Sequence, residues 1–441
     1  MREGSLEAPT RHPIPWRDEA FYDAEKLDAE LRRVFDICHG CRRCFNLCDS
    51  FPRLFDLIDE AKTGELDSVD SAGFKSVVEA CTLCDMCFLT KCPYVPPHDF
   101  DLDFPHLMLR YRAVEHRAGK VGFIERQMTE TDRNGRLART FSGIANWGMD
   151  TAALRGLAGI ARDAALPKFN ARTFEDRARA NSPKVNADAP AHGRKAVIYA
   201  TCFANYNIPA IGMAALNVLA INGVETVVVH PECCGMPQLE HGDIGRVAKS
   251  ASRVSAEMKG WIEKGYDVVS LISSCSLMLK FEWPLILPEN DDVKRLSAAT
   301  FDIAEYVVDI ASKEGLADGL VPLDGDVTLH IACHARAQNM GRKGAELLSK
   351  IPDTKIDVIE RCSGHGGSWG VMKDNFEVAL KVGKPVARQA VKNKPGYVVS
   401  ECPLARDHIL QGMERLDGDT TVPGLSHHPI QLLAEAYGYN T

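Results

Sequence analysis

Between Cys38 and Cys92 lie eight of the chain's fifteen cysteines, and their spacing limits what this segment can become. The first group reads C-x2-C-x2-C-x3-C (Cys38, Cys41, Cys44, Cys48) and the second C-x2-C-x2-C-x4-C-P (Cys81, Cys84, Cys87, Cys92, Pro93). Thiols at i, i+3 and i+6 wrap one cubane of four irons and four sulfides in a tight turn, and in the two-cluster pattern the fourth cysteine crosses to the other cluster. The spacing therefore pairs Cys38, Cys41 and Cys44 with Cys92, and Cys81, Cys84 and Cys87 with Cys48. A lone C-x2-C also reads as a zinc knuckle, but two consecutive C-x2-C-x2-C triplets are not a zinc spacing.

Length and charge narrow the class. The 441 residues, 45% of them hydrophobic, suffice for two to four domains with ordinary cores. A net charge of -8 with no long basic run does not call for nucleic acid as a partner. The first ten residues lack the apolar core of a signal peptide, and no apolar stretch reaches membrane-spanning length, so the expectation is a cytoplasmic protein. In that reducing compartment, clustered cysteines point to metal ligation rather than disulfides.

Along the chain, residues 1–30 read as a loosely held polar arm, and Asp28 to Phe35 as a short helix leading to Cys38. Arg53 to Val78 carries apolar residues at helical spacing, and Phe104 to about Ala180 is helical throughout. Asp101 to Pro190 holds 15 basic and 11 acidic residues, a surplus that suits an acidic partner or a membrane face, or simply solvated helix faces. After a linker from Asn181 to Gly193 the pattern changes to short apolar strands, each leading to cysteine. Lys195–Ala200 leads to Cys202, Thr226–Val229 to Cys233 and Cys234, and Asp267–Ile272 to Cys275. Helical stretches between them imply a parallel sheet, whose ligands gather at the carboxyl ends of its strands. The unit recurs with Asp326–Ala332 before Cys333, Lys355–Ile359 before Cys362 and Gly396–Ser400 before Cys402, a tandem duplication.

With both halves in view, the chain resembles the iron-sulfur subunits that carry two cysteine-rich CCG domains, as in anaerobic glycerol-3-phosphate dehydrogenase, heterodisulfide reductase and glycolate or lactate oxidase systems. The residues that carry the likeness include Cys202-Phe-Ala-Asn-Tyr-Asn, Cys233-Cys234-Gly235-Met-Pro237, Ser274-Cys275-Ser-Leu-Met-Leu-Lys280 and His428-Pro-Ile-Gln-Leu-Leu. The resemblance implies an α/β protein: a two-cluster ferredoxin-like helical domain at 31–100, a helical linker at 101–193, and two CCG domains with parallel sheets at 194–320 and 321–441. The family motif has five cysteines per domain, arranged C, CC and CxxC. The first copy keeps Cys202, Cys233, Cys234 and Cys275, with Ile272 at the earlier CxxC position, enough thiolates for one further iron-sulfur centre. The second keeps Cys333, Cys362 and Cys402, with Ser363 and Ala405 at the other two positions. There His334 or His365 could complete a zinc-type Cys3His site, an iron-sulfur centre could keep an open position, or the site is empty. Its expected role is an intact fold that carries no electrons.

The sequence supplies a wire but no flavin fold, no catalytic triad, and neither GxxxxGK[ST] nor GxGxxG after a strand. The resemblance implies an electron-transfer subunit between a partner oxidoreductase and a quinone or other carrier. That partner would be a flavin-dependent dehydrogenase or a rubrerythrin-like diiron protein, and the chain could lie against the inner face of the membrane. The alternatives are a catalytic subunit that reduces a disulfide or quinone at the first CCG centre, and a zinc-stabilised scaffold without redox chemistry.

Overall fold

The computed structural model describes residues 9–417 and 424–439. The first eight residues of the polar arm, and 418–423 and 440–441 of the last domain, lie outside the described residues.

The N-terminal third is helical. Helix α1 (Ala24–Cys41) starts where the Asp23 carboxylate accepts the Lys26 N–H, and buries a stripe of Leu27, Leu31, Val34 and Phe35. It runs past the short helix expected from sequence and ends at Arg42 in the left-handed region (φ 53), so Cys38 and Cys41 sit on its last turn. Helices α2 (Ser50–Asp59) and α3 (Phe74–Glu79) pack their apolar faces on it and lead into the second cysteine group. There Leu83 (φ 47) and Asp85 (φ 62), both left-handed, coil the chain around Cys84 before α4 (Met86–Thr90). Helix α5 (Phe104–Arg117) closes this unit, capped by Asp103.

Four helices follow that build no strand: α6 (Phe123–Thr129), α7 (Thr131–Thr140), α8 (Ser142–Asp150) and α9 (Ala152–Leu157). Beyond them lie two parallel sheets. In the first, β1 (Lys195–Tyr199) is flanked by β2 (Glu225–Val229) and β3 (Asp267–Ser270), and β4 (Thr300–Asp302) adds an edge, giving the order β2-β1-β3-β4. In the second, β5 (Val327–His330) is flanked by β6 (Ile356–Ile359) and β7 (Tyr397–Ser400), in the order β6-β5-β7. The first three strands of each copy share one topology, as the sequence repeat requires. Strand β4, Thr-Phe-Asp, is too short and too polar at its ends to read as a strand.

One contiguous core joins Phe35, Phe55 and Phe74 of the helical unit to Val197 and Ile198 of β1 and to Val327 and Leu329 of β5. The arm is part of it. The Ile14 N–H reaches the Leu285 carbonyl at 2.8 Å, the Trp16 indole donates to the Ile286 carbonyl at 2.8 Å, and Ile14 and Phe21 are buried. From residue 9 onward the expected loose arm is pinned to the first α/β unit, because its few apolar side chains are enough to fill that contact.

Candidate metal centres

The turn geometry brings the cysteines together in sets that alternate between the two sequence groups. Burial, then the neighbouring thiols of Cys92, Cys44 and Cys41, holds the Cys38 thiol well above its ordinary range. Burial, then Cys92 and Cys41, pushes Cys44 up to about 12. Cys48 is raised by burial and next by Cys84 and Cys81, and Cys87 by burial and next by Cys84, Cys81 and Cys48. Cys92 thus lies with the first group and Cys48 with the second. Thiols crowded in this way resist ionisation unless a cationic core compensates them, which is the charge an iron-sulfur cluster brings to its ligands. The donor set therefore fits such a group.

The protein braces these loops with one arginine. Arg112 on α5 donates to the Cys81 carbonyl, to the Val78 carbonyl at 2.8 Å and to the Glu240 carbonyl at 2.9 Å, tying the second cysteine loop to the first sheet domain.

In the first sheet domain, Cys202, Cys233, Cys234 and Cys275 converge beyond the carboxyl ends of β1, β2 and β3, where a parallel sheet collects ligands. The Cys233 and Cys202 sulfurs are 3.6 Å apart, and those of Cys234 and Cys275 3.2 Å apart. The hydrogen bond between Cys202 and Cys233 pushes Cys202 up and draws Cys233 down, so Cys233 is the thiol most ready to ionise. The Gly235 N–H points at the Cys233 sulfur from 3.5 Å, and Gly235 takes φ 85, which a side chain would strain. Trp283 donates its indole N–H to the Cys234 carbonyl at 3.0 Å.

Sequence reasoning missed the acid and base beside this set. Asp132, on the first turn of α7, accepts from the Cys233 backbone N–H and lies 2.7 Å from the His230 ring, whose side chain is 4% exposed. Burial acts to lower His230, but the Asp132 carboxylate outweighs it and the imidazole is raised. The signal available was position: His230 stands three residues before Cys233, whereas nothing in α7 marks Asp132. A polar cleft of about 310 Å³ opens onto this corner, lined by Thr131, Asp132, Arg133, Arg136, Cys233 and Arg246 among others.

The second sheet domain brings Cys333, Cys362 and Cys402 together, and also sets them against the second cysteine loop. Cys333 is raised by burial, then by Cys84, Cys362 and Cys402, while Cys84 is pushed up to about 12 by burial and next by Cys362. The Gly364 N–H lies 3.4 Å from the Cys362 sulfur. A β-carbon on Gly366 would fall 2.5 Å from the Thr82 side chain, and one on Gly367 would fall 2.7 Å from a Glu240 carboxylate oxygen, so bare backbone is needed at both. Glu240, another residue the sequence did not mark, is pushed up to about 7 by burial, against the pull of Arg112.

The two histidines expected to complete this site are placed differently. His334 has Nδ1 2.8 Å from the Ser274 hydroxyl and Nε2 3.4 Å from the Leu83 carbonyl, so both nitrogens are engaged away from the cysteines. The His365 ring lies 5.9 Å from His408 and keeps an unpartnered, buried Nε2; burial lowers it to about 3, leaving a neutral imidazole. Among the described residues no three Cys, His, Asp or Glu side chains close on a point that could hold a single metal ion. Zinc, with Zn–S bonds of about 2.3 Å, would require that.

Together the fold and the thiol sets define an iron-sulfur redox protein built on two cysteine-rich α/β units. Residues 196–280 and 327–404 each match the CCG cysteine-rich domain. The chain is 27% identical over 316 residues, covering 70% of itself and 76% of the relative, to a subunit of the anaerobic glycerol-3-phosphate dehydrogenase of Escherichia coli (strain K12). It is 30% identical over 188 residues, 40% of itself and 75% of the relative, to lactate utilization protein A of Bacillus pumilus. To a subunit of the dihydromethanophenazine:CoB–CoM heterodisulfide reductase of Methanosarcina barkeri it is 26% identical over 271 residues, 58% of itself and 63% of that relative. The chain belongs to the family of CCG-domain iron-sulfur subunits of oxidoreductases.

Proposed function

We propose that the chain is an electron relay. Two four-iron cubanes in residues 31–100, one on Cys38, Cys41, Cys44 and Cys92 and one on Cys81, Cys84, Cys87 and Cys48, would feed centres in the CCG domains. The observation that carries this reading is the adjacency of thiol sets: Cys84, of the second cubane set, lies beside Cys362 and Cys333 of the second CCG domain. A thiol set pressed against a cubane set is placed to exchange electrons with it. We therefore propose a redox centre at Cys333, Cys362 and Cys402 in place of the electronically silent site expected from sequence. A further centre on Cys202, Cys233, Cys234 and Cys275 would form the outlet of the relay.

The two-electron chemistry then belongs to a partner oxidoreductase, as suits a chain whose relatives are named as subunits of a dehydrogenase and a reductase; that partner would be a flavin-dependent dehydrogenase or a diiron protein, as the sequence resemblance implies. A quinone or other carrier would take the electrons onward. The chain would lie against the inner face of the membrane; no helix of the described residues is long and apolar enough to cross one. The test is anaerobic purification with iron, sulfide and zinc analysis and electron paramagnetic resonance. Iron and sulfide for two cubanes plus additional centres is the expected result, and zinc in place of iron would end the proposal.

A second reading, catalysis at the first CCG centre, has one observation in its favour. The polar cleft reaches Cys233 beside the His230 and Asp132 pair, so a small molecule could approach both a thiolate and a proton donor there.

A further inference from the structure

The two sheet domains meet at their cysteine edges, and polar side chains that stand next to cysteines in the chain make the contact. Ser273 and Ser274 open the short helix Ser273–Leu277 and directly precede Cys275 of the first domain. The buried Ser273 hydroxyl donates to the Glu401 carbonyl at 3.4 Å, and Glu401 precedes Cys402. The Ser274 hydroxyl lies 2.8 Å from Nδ1 of His334, which follows Cys333. Gln338, one helical turn beyond His334, donates to the Ser273 and His334 carbonyls at 3.3 and 3.2 Å. The Cys275 turn is thus stitched to both the Cys333 turn and the Cys402 turn.

His334 extends the stitch to a third thiol set. Its Nε2 reaches the Leu83 carbonyl at 3.4 Å, and Leu83 is peptide-bonded to Cys84 of the second cubane set. A carbonyl only accepts, so Nε2 carries the ring hydrogen, and Nδ1 of the neutral ring takes the hydrogen of the Ser274 hydroxyl. The residue is only 7% exposed, and both of its nitrogens are used. A buried polar group satisfied at both ends fixes one arrangement of the parts it joins. One imidazole thereby ties together the neighbours of Cys84, Cys275 and Cys333, a cysteine from each of three thiol sets.

The two CCG sets differ in how they meet the second cubane loop. Thiols of the second CCG set lie beside Cys84 directly, Cys362 and Cys333 among them. The first CCG set is joined to the same loop through the His334 ring: the Cys84 peptide, the Leu83 carbonyl, the imidazole, the Ser274 hydroxyl and the Cys275 peptide follow one another as a bonded route. A histidine that served only as glue between domains could stand anywhere in their contact. This one has a thiol set at each of its ends and a third beside it in the chain.

We propose, on the relay reading, that His334 is the branch point of the relay: a positioning residue that holds the first CCG centre within electron-exchange reach of the second cubane, so that this cubane serves both CCG centres. One electron leaves the reduced four-iron cluster on Cys81, Cys84, Cys87 and Cys48, which is oxidised, and reduces the iron-sulfur centre on Cys202, Cys233, Cys234 and Cys275. No proton moves and no bond breaks at His334. The ring supplies a fixed gap, and positional error between reacting partners is costly.

The experiment compares the anaerobically purified full chain with His334→Phe, His334→Gln and Ser274→Ala. Each is mixed with substoichiometric dithionite, freeze-quenched and read by electron paramagnetic resonance, with Cys275→Ser marking the signal of the first CCG centre. His334→Phe keeps the bulk of the ring and loses both hydrogen bonds. It should slow arrival of the electron at the first CCG centre by about tenfold, the usual order of loss when a group that orients metal ligands is removed. Arrival at the second CCG centre should be unchanged, as should iron and sulfide per chain. Magnetic broadening between the signals of the second cubane and the first CCG centre should weaken in the same variant. Ser274→Ala removes one of the two bonds and His334→Gln can keep one, so both should fall between His334→Phe and the native chain. Should His334→Phe fail to fold, these two variants carry the same comparison. Arrival at the first CCG centre at the native rate in every variant overturns the proposal. Equal slowing at both CCG centres does so too, since it would make His334 a purely structural tie. Iron and sulfide missing from the native chain would end the relay reading, and the branch point with it, before any variant is compared.

Discussion

Removing the Arg11 guanidinium should destabilise the whole molecule, because it bridges three carboxylates from three separate parts of the chain. Its five N–H donors are all used: two to Asp85 at 2.8 and 2.9 Å, two to Asp103 at 2.7 and 3.1 Å, and one to Glu282 at 3.2 Å. Beneath it the Phe88 ring lies 4.5 Å away. The three acids come from the second cysteine loop, the start of α5 and the first CCG domain, and the side chains of Asp85 and Glu282 are only 5% and 4% exposed. Breaking a buried pair by deleting one partner costs about 3–5 kcal/mol. His106, 3.2 Å from the other Glu282 oxygen, remains as partial compensation and places the expected loss near the lower end, about 3 kcal/mol.

The pH dependence gives a sign to check. Burial alone would raise Asp103, but His106 and Arg11 outweigh it and hold it at about 2, below its unfolded value of about 3.9. Its contribution is therefore present above about pH 4 and is lost as the pH falls toward 2. Without Arg11 that carboxylate titrates closer to its unfolded value, so the deficit of Arg11→Met should be largest near neutrality and shrink on acidification. Urea unfolding midpoints of the anaerobic protein, compared at unchanged slope, measure it. Arg11→Lys should fall between, since it keeps the charge and loses the fork. A midpoint for Arg11→Met within about 0.5 kcal/mol of the native chain, or a deficit that grows toward low pH, would refute the reasoning.

Cys48→Ser should damage the centre otherwise held by Cys81, Cys84 and Cys87; loss of only the signal of the Cys38 group would show that the fourth ligands do not cross. Changing Cys333, Cys362 and Cys402 together to Ser should lower iron per chain and abolish or shift one resonance signal while the fold persists by circular dichroism, whereas loss of zinc with unchanged iron would return this site to the silent role. Gly364→Ala should destabilise the second CCG domain by about 2 kcal/mol or more, as φ is 82 and the added methyl would fall 2.0 Å from the Ala379 carbonyl; an unchanged melting temperature would contradict this. Asp132→Ala should lower the His230 pKa, since burial is then opposed only by the lesser pull of Cys233 and Glu175, and a histidine resonance that titrates as before would show that the pair is not the cause.

How much of this the sequence shows depends on the range of the interaction behind each feature. Cysteine spacing is local: a turn of three residues fixes three sulfurs, and the two groups could be read directly. The strands β1, β2, β3, β5, β6 and β7 were legible for a similar reason, since each is a short β-branched run that ends at a cysteine. Contacts that cross the chain left no local trace. Arg11 lies in a stretch of prolines and charges, 271 positions before Glu282, and nothing near it announces a buried fork. Nothing local marks Asp132 or Glu240, and only the assembled sheets turn these two toward thiols. The apposition of Cys84 to Cys362 has the same character, and it is the observation that changes the functional argument. Counting cysteines within the second repeat suggested an incomplete, isolated site, because a count treats each domain as closed. The shared core instead presses the repeat against the second cysteine loop, so a three-thiol set that would be isolated alone becomes the neighbour of a cubane set. What a degenerate motif can do is thus decided by what it packs against as well as by the ligands it has lost.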